Sequence, residues 1–293
     1  MIVITGATGQ LGSQIVDHLL QRVPGESVGV SVRDTAKAAH LSERGVRVRA
    51  GDFTDPASLR HAFEGAEQVL VVSAAIRGPG AVAANRTAID AARAAGAARI
   101  LYTSHQAASA DSLFAPQPGH LVIEEHLAGL GVPFTALRNG FYASSLSFLI
   151  GDALTSGRLV APADGPVSWT AHADLAEAAV IGVTAAGALD GVTAPLTAPE
   201  ALDLSAVADV LSGITGRVIT RIVVEDEQWR TAAVERGMPA PAADFTLGLF
   251  RAARRGELAV TDPALEALLG RRPEPVQSTL GALATAAAQG AAA

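Results

Sequence analysis

Short apolar runs alternate with amphipathic stretches along the first half of the chain. Six runs are rich in β-branched residues and are predicted to be strands: 1–5, 27–32, 46–49, 69–73, 99–103 and 134–137. Five stretches between them have the apolar spacing of helices: 10–22, 35–44, 56–63, 81–95 and 119–130. The first and fourth runs are almost continuously apolar, which is typical of strands buried on both faces of a parallel sheet. Strict alternation of strand and helix therefore predicts an α/β fold with a doubly wound parallel sheet.

The alternation weakens after about residue 150. Helical spacing returns at 174–186, 204–213 and 226–236, and residues 218–224 are predicted to be a strand. Five prolines interrupt the remainder: Pro239, Pro241, Pro263, Pro273 and Pro275. We therefore predict a sheet domain at 1–150 and a smaller mixed region at 151–293 that completes the fold and covers the substrate site. The alanine-rich end at 284–293 is low in complexity and is predicted to fray.

The composition excludes several classes of protein. The 293 residues include no cysteine, which rules out disulfide frameworks, thiolate metal sites and a cysteine nucleophile. A net charge of −7 argues against a general nucleic-acid or anionic-membrane surface, since both need clustered lysine and arginine. The first apolar run is too short for a signal core, and the longest, at 69–76, is too short for a membrane helix. We therefore expect a cytoplasmic protein.

A glycine-rich turn follows the first predicted strand and opens the first predicted helix. The segment Thr5-Gly6-Ala7-Thr8-Gly9-Gln10-Leu11-Gly12 has the spacing G-x-x-G-x-x-G. In a dinucleotide-binding turn, the first glycine allows the tight turn, the second lets a pyrophosphate approach the backbone, and the third allows close helix–strand packing. Amides at the start of the helix then face the phosphates, and the helix dipole favours their charge. In this position the pattern predicts a Rossmann-type dinucleotide site.

The end of the second strand decides between the two nicotinamide cofactors. An NAD site usually has Asp or Glu there for the ribose hydroxyls, whereas this chain has Arg33. A guanidinium pairs well with a 2′-phosphate, so we predict a preference for NADPH. Asp34 is adjacent, and we predict that it caps the helix beginning at Thr35 rather than binding the ribose of NAD. Lys37, the only lysine, either adds positive charge near the phosphate or is an ordinary exposed helix residue.

Two further strand ends belong to the predicted cofactor site. Asp52 and Phe53 follow the third strand, where they either flank the adenine or form an ordinary turn. Ser73, Ala74 and Ala75 follow the fourth strand. Their small side chains allow the dinucleotide to lie flat across the point where the strand order reverses.

The usual acid of short-chain dehydrogenases, a Tyr-x-x-x-Lys pair, cannot be built from this sequence. Neither Tyr102 nor Tyr142 has a lysine four residues later. The corresponding helix carries His120 and Glu124, which share a helix face because they are four residues apart. His120 is therefore a candidate for a catalytic or substrate-orienting role, and an exposed polar helix face is the alternative.

Other catalytic candidates lie at the ends of the fifth and sixth strands. Thr103, Ser104 and His105 end the fifth strand, where a hydroxyl or imidazole would meet the nicotinamide and the substrate. The sixth strand is followed by a segment that offers amide and phenol groups: Arg138, Asn139, Gly140, Phe141 and Tyr142. Buried hydrogen-bonding roles are the alternative for Arg138 and Asn139. His105 and Tyr142 join His120 as catalytic candidates.

Some remaining residues bear on other kinds of site. Trp169 and His172 either line a substrate pocket or pack in the interior. The histidines lack metal-ligand spacing, so we predict no metal. The sequence has no Gly-x-Ser-x-Gly elbow, which removes the simplest hydrolase interpretation.

Several segments together resemble the NmrA-like atypical short-chain dehydrogenases. They are MIVITGATGQLG, the arginine in VSVRD, GDFTDPASL, AARAAGAARILYTS, the H-x-x-x-E helix and VPFTALRNGFY. Within the family, the chain most resembles the group of NADPH-dependent quinone oxidoreductases and triphenylmethane reductases. The resemblance implies these cofactor-binding residues: Gly6, Ala7, Thr8, Gly9, Gln10, Leu11, Arg33, Ser73, Ala74, Ala75, Asn139, Gly140, Phe141 and Tyr142. The chain departs from the family at Glu125, His126 and 105–118, where the substrate is expected.

The sequence and the resemblance together predict an NADPH-dependent reductase of a flat conjugated acceptor, with quinones as the leading class. Delocalisation of the charge left on a reduced quinone lets water or a weak acid complete the protonation, which suits a site without Tyr-x-x-x-Lys. One alternative is a non-catalytic redox sensor that binds NADP(H) and signals to a protein partner. Another is a biosynthetic tailoring reductase or epimerase. A homodimer is the default expectation for the assembly.

Overall fold

The computed structural model describes residues 1–74, 76, 78, 80–185, 187 and 189–290. Its strands, in chain order, are β1 (Ile2–Thr5), β2 (Val28–Val32), β3 (Arg47–Ala50), β4 (Gln68–Val71), β5 (Arg99–His105), β6 (Phe134–Asn139), β7 (Phe141–Tyr142), β8 (Arg158–Pro162), β9 (Trp169–Thr170), β10 (Gly191–Val192) and β11 (Thr220–Val224). Its helices are α1 (Gln10–Leu19), α2 (Ala39–Ser42), α3 (Pro56–Phe63), α4 (Gly80–Ala94), α5 (Pro116–Ala128), α6 (Leu146–Leu149), α7 (Ala153–Ser156), α8 (His172–Thr184), α9 (Leu204–Thr215), α10 (Asp226–Glu235), α11 (Ala240–Arg254), α12 (Ala264–Leu269) and α13 (Val276–Gly290).

The first of two compact units consists of Met1–Ala110, Pro116–Asn139 and His172–Leu196. It contains a seven-stranded sheet in the order β10-β6-β5-β4-β1-β2-β3, and each pair of neighbouring strands is parallel. The chain moves outward in one direction from β1 through β3 and in the other from β4 through β6. The strand order therefore reverses between β1 and β4, and ligands bind to doubly wound sheets at the carboxyl ends of such strands.

The interior of this unit explains the apolar strands. Val69, Leu70 and Val71 of β4 have no exposed surface, as expected for a strand covered on both faces. The helices α3, α4 and α5 share one buried apolar cluster with these strands. Helix α1 buries Leu11, Ile15, Val16 and Leu19 and packs against α8. The predicted α/β fold with a doubly wound parallel sheet is confirmed.

The second compact unit consists of Asp111–Ala115, Gly140–Ala171 and Thr197–Ala293. It contains two small parallel sheets, β8 with β11 and β7 with β9, together with helices α9 to α13. A cluster of edge-on and tilted aromatic rings joins Phe114, Phe141, Trp169 and Phe245. Helix α13 packs against α9, and α10 packs against α11.

The structure differs from the prediction at several element boundaries. The predicted helix at 35–44 is a 3-10 turn at Thr35–Ala38 followed by the single-turn α2, because Ala38 leaves the helical backbone region. The proline-rich stretch after residue 239 is helical over α11 and α12, whereas Pro273 and Pro275 lie in the non-helical segment before α13, as predicted. Pro239 and Pro263 are the N-cap residues of α11 and α12, and Pro241 lies in the first turn of α11. A missing N–H has no cost in a first turn, so these prolines begin helices instead of breaking them.

A single cut near residue 150 does not separate the two compact units, because His172–Leu196 belongs to the first of them. The division into a cofactor domain and a substrate region stays a prediction. Helix α13 includes residues 284–290 of the predicted frayed end, and residues 291–293 lie outside the described residues. In the described part of the chain, every helix is too short or too polar to cross a bilayer.

Candidate functional site

The glycine turn after β1 forms a backbone cradle at the start of α1. Gly6 has a φ of 64°, in the left-handed region that favours glycine. A Cβ on Gly12 would lie 2.1 Å from the carbonyl oxygen of Gly6, so α1 approaches the turn closely only because residue 12 is glycine. Gly9 is the N-cap of α1 and has no side chain to cap the helix. Amides at the start of the helix are therefore available to an anion.

Two side chains of this segment contribute to the interior instead of to a ligand surface. Ala7 and Leu11 are buried, whereas Thr8, Gly9 and Gln10 are exposed. A phosphate at this cradle would therefore meet the backbone of Ala7 and Leu11 and not their side chains.

The loop after β4 is held in place by three side chains from neighbouring elements. The hydroxyl of Thr5 accepts a hydrogen bond from the N–H of Val72 at 2.9 Å. The hydroxyl of Thr103 accepts one from the N–H of Ser73 at 2.8 Å, and Oδ1 of Asn85 accepts one from the N–H of Ala74 at 3.1 Å. Ser73 and Ala74 thus lie fixed at the predicted crevice between β1 and β4, and the predicted site residue Ala75 lies outside the described residues.

The end of β2 shows the predicted arrangement of the charged pair. Arg33 is exposed directly after the buried Val32. Asp34 accepts a hydrogen bond from the N–H of Ala36 at 3.1 Å and is the N-cap of the following turn. Since its carboxylate caps this turn, Asp34 is poorly suited to bind the ribose of NAD, and the capping role predicted for it is what the structure contains.

Asp52 and Phe53 combine structural roles with proximity to the predicted phosphate site. Oδ1 of Asp52 accepts hydrogen bonds from the N–H of Thr54 at 2.7 Å and from its hydroxyl at 2.6 Å. These bonds lower the pKa of Asp52, and the positive charge of Arg33 lowers it further. Phe53 packs against the buried apolar cluster. Both residues form the turn after β3, and their contact with an adenine stays a prediction.

A polar cluster lies where β5 and the first half of α5 meet. The hydroxyl of Tyr102 lies 2.9 Å from Nδ1 of His120, and the rings of His120 and His105 are 6.0 Å apart between centroids. Nε2 of Gln117 lies 2.6 Å from Nδ1 of His105. Two of the predicted catalytic residues, His105 and His120, are therefore neighbours. Tyr102 and Gln117, which no pattern in the sequence marks, contact their rings.

Burial makes both histidines weak bases. It lowers the pKa of His105 to about 3, and the nearby imidazole of His120 lowers it further. Burial also lowers the pKa of His120 to about 4, against the opposing effect of the Glu124 carboxylate. Both rings are therefore neutral at neutral pH, and neither supplies a positive charge to a reaction.

Glu124 lies on the same helix face as His120 and forms its hydrogen bonds with other residues. Its side chain is 3% exposed and pairs with Arg138 of β6, with Oε1 3.0 Å from Nε and Oε2 2.6 Å from Nη2. The hydroxyl of Ser104 donates a further bond to Oε1 at 2.6 Å. These bonds raise the pKa of Arg138. Glu124, Ser104 and Arg138 therefore tie α5 to β5 and β6, and Arg138 forms these bonds from a half-buried position.

Asn139 has a different character from Arg138 beside it. It is 1% exposed at the carboxyl end of β6, yet neither Oδ1 nor Nδ2 has a hydrogen-bond partner among the described residues. Unpaired buried amides are rare because they lose their hydration without compensation. An amide in this state at the carboxyl edge of the sheet suits a group that bonds a cofactor.

The remaining predicted residues belong to different parts of the molecule. Gly140, Phe141 and Tyr142 are in the second unit, where Phe141 is buried edge-on against Trp169 and Tyr142 is half-buried. Trp169 borders a cavity of about 300 Å³ within that unit, with Arg272 and Glu200 at its lining. His172 belongs to the first unit, where burial lowers its pKa. Roles for these residues toward a cofactor or substrate stay predictions.

Tyr102 could not be selected from the sequence because its significance depends on a contact between elements. It follows the apolar pair Ile100 and Leu101 in β5, and its partner His120 is 18 residues away in a helix. Gln117 lies among prolines at a helix start, without a pattern that marks it. A strand tyrosine beside the end of the sheet is the one signal that could have suggested the pair.

The chain matches proteins of known sequence and structure along most of its length. The sequence profile of the NmrA-like family matches residues 1–251. The chain is 33% identical over 271 residues to quinone oxidoreductase 2 of Escherichia coli (strain K12), covering 92% of this chain and 94% of that protein. It is 32% identical over 276 residues to an NAD(P)H azoreductase of Xenophilus azovorans, covering 92% and 93%.

Two solved structures share the fold closely. An NADPH-dependent quinone oxidoreductase from Escherichia coli, complexed with NADPH, has 31% identity and a TM-score of 0.91, covering 97% of this chain and 99% of that one. A triphenylmethane reductase from Citrobacter sp., complexed with NADP(H), has 30% identity and a TM-score of 0.90, covering 97% and 100%.

Proposed function

The chain belongs to the NmrA-like family, and from that membership we propose that it is an NADPH-dependent reductase of flat conjugated acceptors, with quinones as the leading class. One observation carries the proposal. Nearly the whole chain matches a quinone oxidoreductase, an azoreductase and a triphenylmethane reductase, whose names point to planar conjugated acceptors.

The cofactor proposal is supported by three features of the first unit. The turn from Gly6 to Gly12 exposes Thr8, Gly9 and Gln10 at the start of α1, and the helix packs against Gly6 as closely as it does because residue 12 has no Cβ. Arg33 offers an exposed guanidinium for a 2′-phosphate. Asn139 offers a buried amide that has no partner among the described residues. When bound, NADPH supplies a hydride, and these residues would bind and orient it.

The chemistry needs no charged acid from the protein. A quinone that accepts a hydride becomes an anion whose charge is shared between oxygen and ring, so a proton from water completes the reduction. The neutral imidazole of His120 can donate a hydrogen bond to such an oxygen without first being protonated. The pair of Glu124 and Arg138 holds the helix that carries it.

Purified protein assayed with NADPH tests the proposal. The acceptors are a series of benzoquinones and naphthoquinones, an azo dye and a triphenylmethane dye, and NADPH oxidation is followed with and without each. We expect turnover with at least the quinones, at rates well above that with NADH. NADPH oxidation at background rates with every acceptor would contradict the proposal. Unequal binding of NADP⁺ and NADPH without any turnover would favour the redox-sensor alternative.

Two further expectations belong to this proposal. A cytoplasmic location is measured by fractionating the source cells and following the protein with an antibody. A homodimer is measured by light scattering of the purified protein, with and without NADPH.

A further inference from the structure

The hydroxyl of Tyr102 supports the ring of His120 from inside the first unit. Tyr102 is 1% exposed on β5, and its oxygen lies 2.9 Å from Nδ1 of His120 on α5. The two rings are tilted by 44° with centroids 5.7 Å apart. The hydroxyl thus meets one nitrogen of the imidazole, which leaves the other nitrogen, Nε2, to face away from the phenol.

The direction of this hydrogen bond follows from the acidity of the two groups. A phenol is a stronger acid than a neutral imidazole N–H, and an imidazole nitrogen is a better acceptor than a phenol oxygen. Tyr102 therefore donates to Nδ1, and the proton of the neutral imidazole is on Nε2. No described residue hydrogen-bonds Nε2 of His120, and the residue is half-buried rather than enclosed.

The neighbouring histidine shows the same arrangement. Nδ1 of His105 faces the Nε2 amide group of Gln117 at 2.6 Å, and because that group donates, Nδ1 is again an acceptor. Two imidazoles at the carboxyl end of β5 thus each have Nδ1 directed at a buried polar side chain. The arrangement sets the orientation of both rings from within the fold.

We propose that Tyr102 is a positioning residue that fixes His120 as the Nε2–H tautomer, and that this N–H donates a hydrogen bond to the oxygen of the acceptor on which charge develops. The proposal rests on the proposed reductase function. The chain has no Tyr-x-x-x-Lys pair, so the neutral N–H of His120 takes the place of a phenol O–H. His120 keeps its proton throughout.

The electron and proton balance is simple. NADPH provides the hydride, which carries both electrons to the quinone, and NADP⁺ leaves oxidised. The quinone becomes a hydroquinone monoanion, and water supplies the one proton that completes it. The N–H of His120 stabilises the anion without breaking a bond, as neutral donors do in oxyanion sites.

Proton–nitrogen NMR of the imidazole rings, at neutral pH and without cofactor, measures the tautomer directly. The His120 signals are assigned by their loss in His120→Phe. We expect the Nε2–H tautomer in the wild type and a mixture of both tautomers in Tyr102→Phe. Thr135→Val is the matched control, because it also removes a buried hydroxyl from a strand of this unit, one that bonds Arg99 on the neighbouring strand β5. It should leave the His120 signals unchanged.

Steady-state kinetics connect the tautomer to the reaction. We expect kcat for a quinone to fall about tenfold in Tyr102→Phe with little change in KM for NADPH, and about a hundredfold in His120→Phe, since one lost oxyanion donor typically costs that much or more. Thr135→Val should keep the wild-type kcat. Thermal unfolding of each variant identifies a fall that is due to misfolding.

The outcomes separate this proposal from the proposed function. A wild-type protein with the Nδ1–H tautomer, or a Tyr102→Phe variant with an unchanged tautomer, would overturn the positioning role whether or not the protein reduces quinones. If the tautomer shifts in Tyr102→Phe while kcat stays at the wild-type value, His120 does not stabilise the acceptor oxygen, although the reductase function stands. If the wild-type protein has no turnover, the proposed reductase function is wrong, and so is the hydrogen bond from His120 to the acceptor oxygen.

Discussion

Arg33 stands exposed at the end of β2, while the adjacent Asp34 uses its carboxylate to cap the next turn. If the guanidinium pairs with a 2′-phosphate, Arg33→Ala removes a charge-assisted contact worth about 1.5–3 kcal/mol. NADPH affinity should then fall about ten- to a hundredfold, whereas NADH affinity should hardly change. Arg33→Asp should go further, because its carboxylate repels the phosphate and accepts from the ribose hydroxyls. Fluorescence titration with both cofactors measures each affinity.

Lys37→Ala provides the matched control for this titration, since it removes an exposed cation from the turn that follows. Its effect on NADPH affinity should be clearly smaller than that of Arg33→Ala. If wild type binds NADH as tightly as NADPH, or Arg33→Ala leaves the ratio unchanged, the phosphate assignment is wrong.

Replacing Asn139 should affect the free energy of unfolding and the affinity for NADPH in different ways. Replacing an unpaired buried amide by an apolar group of similar size removes a desolvation cost, so Asn139→Leu should leave the free energy of unfolding unchanged or raise it by about 1 kcal/mol. NADPH affinity should fall about tenfold if the amide bonds the cofactor. Urea unfolding and cofactor titration measure the two quantities.

Asn85 is the control for Asn139 because both Oδ1 and Nδ2 of its buried amide have hydrogen-bond partners. Oδ1 accepts from the N–H of Ala74, and Nδ2 donates to the carbonyl of Ala81 at 2.8 Å. Asn85→Leu leaves both backbone groups without their partner, so it should destabilise the protein by about 1–3 kcal/mol. A loss of stability in Asn139→Leu as large as this would show that Asn139 already has a partner inside the protein.

The buried, neutral imidazole of His105 should make the free energy of unfolding of the protein sensitive to acid. Its pKa in the folded protein is about 3, below the usual histidine value of 6.5, so between these two pH values unfolding takes up a proton. The contribution of His105 to the free energy of unfolding is complete above about pH 6.5. Below that pH it falls by about 1.4 kcal/mol per pH unit. When urea unfolding is measured from pH 7 to pH 5, the free energy of unfolding should decline less steeply in His105→Gln than in wild type. The difference between the two slopes should approach that value. Parallel curves for the two proteins would contradict the burial of a neutral imidazole here.

The residues predicted to bind the cofactor stand in local patterns more often than those predicted to be catalytic. Arg33 and the glycines stand in a local pattern, and local patterns are visible in one sequence. The pairing of Tyr102 with His120, and of Glu124 with Arg138, joins residues from different elements. Periodicity places such residues on a face but does not show which side chain on the next element meets them.

At the scale of elements, the contact between α1 and the turn after β1 depends on Gly12. A Cβ there would lie 2.1 Å from the oxygen of Gly6, which is backbone and cannot rotate away. Gly12→Ala should therefore push the start of α1 from the turn, with a loss of about 1–3 kcal/mol as for other overpacked sites. NADPH affinity should fall as well, because the amides that face the phosphate move with the helix. Urea unfolding and NADPH titration test both effects.

Gly213→Ala is the control for this substitution, because Gly213 lies inside α9 with nothing within 4 Å of its added Cβ. There alanine should stabilise the protein by about 0.5–1 kcal/mol through its higher helix propensity. If both glycine variants gained stability, the close approach of α1 to the turn would not be a constraint.

The elements of the first unit could be predicted well because each has a strong period of its own. The elements of the second unit could not be predicted as well, and the positions of its prolines give one reason. Pro239, Pro241 and Pro263 lie at helix starts, where they are tolerated, but a proline in a sequence is equally consistent with a loop. The short strands β7 and β9 have two residues each, which is too few to show alternation.

At the scale of the whole molecule, the chain order and the compact units do not coincide. Helix α8 and strand β10 come after residues of the second unit but belong to the first, where α8 packs against α1 and β10 pairs with β6. The sequence suggested a boundary near residue 150 because the alternation of strand and helix weakens there. A change of pattern marks where elements change in type, whereas the limits of a unit depend on contacts between distant segments.

A chain that ends at Ile150 should therefore fail to fold as an independent domain. It lacks α8, whose residues Leu175, Ala179 and Val180 have no exposed surface, so the side of α1 that they cover would meet water. It also lacks the carbonyls of Gly182 and Leu189, which accept hydrogen bonds from the buried guanidinium of Arg99 at 2.9 and 2.7 Å. The hydrogen bonds that tie β5 to these segments are therefore absent from the fragment.

We expect the fragment 1–150 to give a poorly dispersed NMR spectrum, to bind a dye for exposed apolar surface, and to bind NADPH weakly or not at all. Adding the separately produced fragment 151–293 should restore part of the NADPH binding, because it returns α8, β10 and the acceptors of Arg99. The same fragment carrying Val180→Asp should restore less, since it places a charge where α8 is buried. A dispersed spectrum and tight NADPH binding by 1–150 alone would show instead that the glycine turn, Arg33 and the first six strands form a sufficient cofactor domain, with the boundary where the sequence pattern changes.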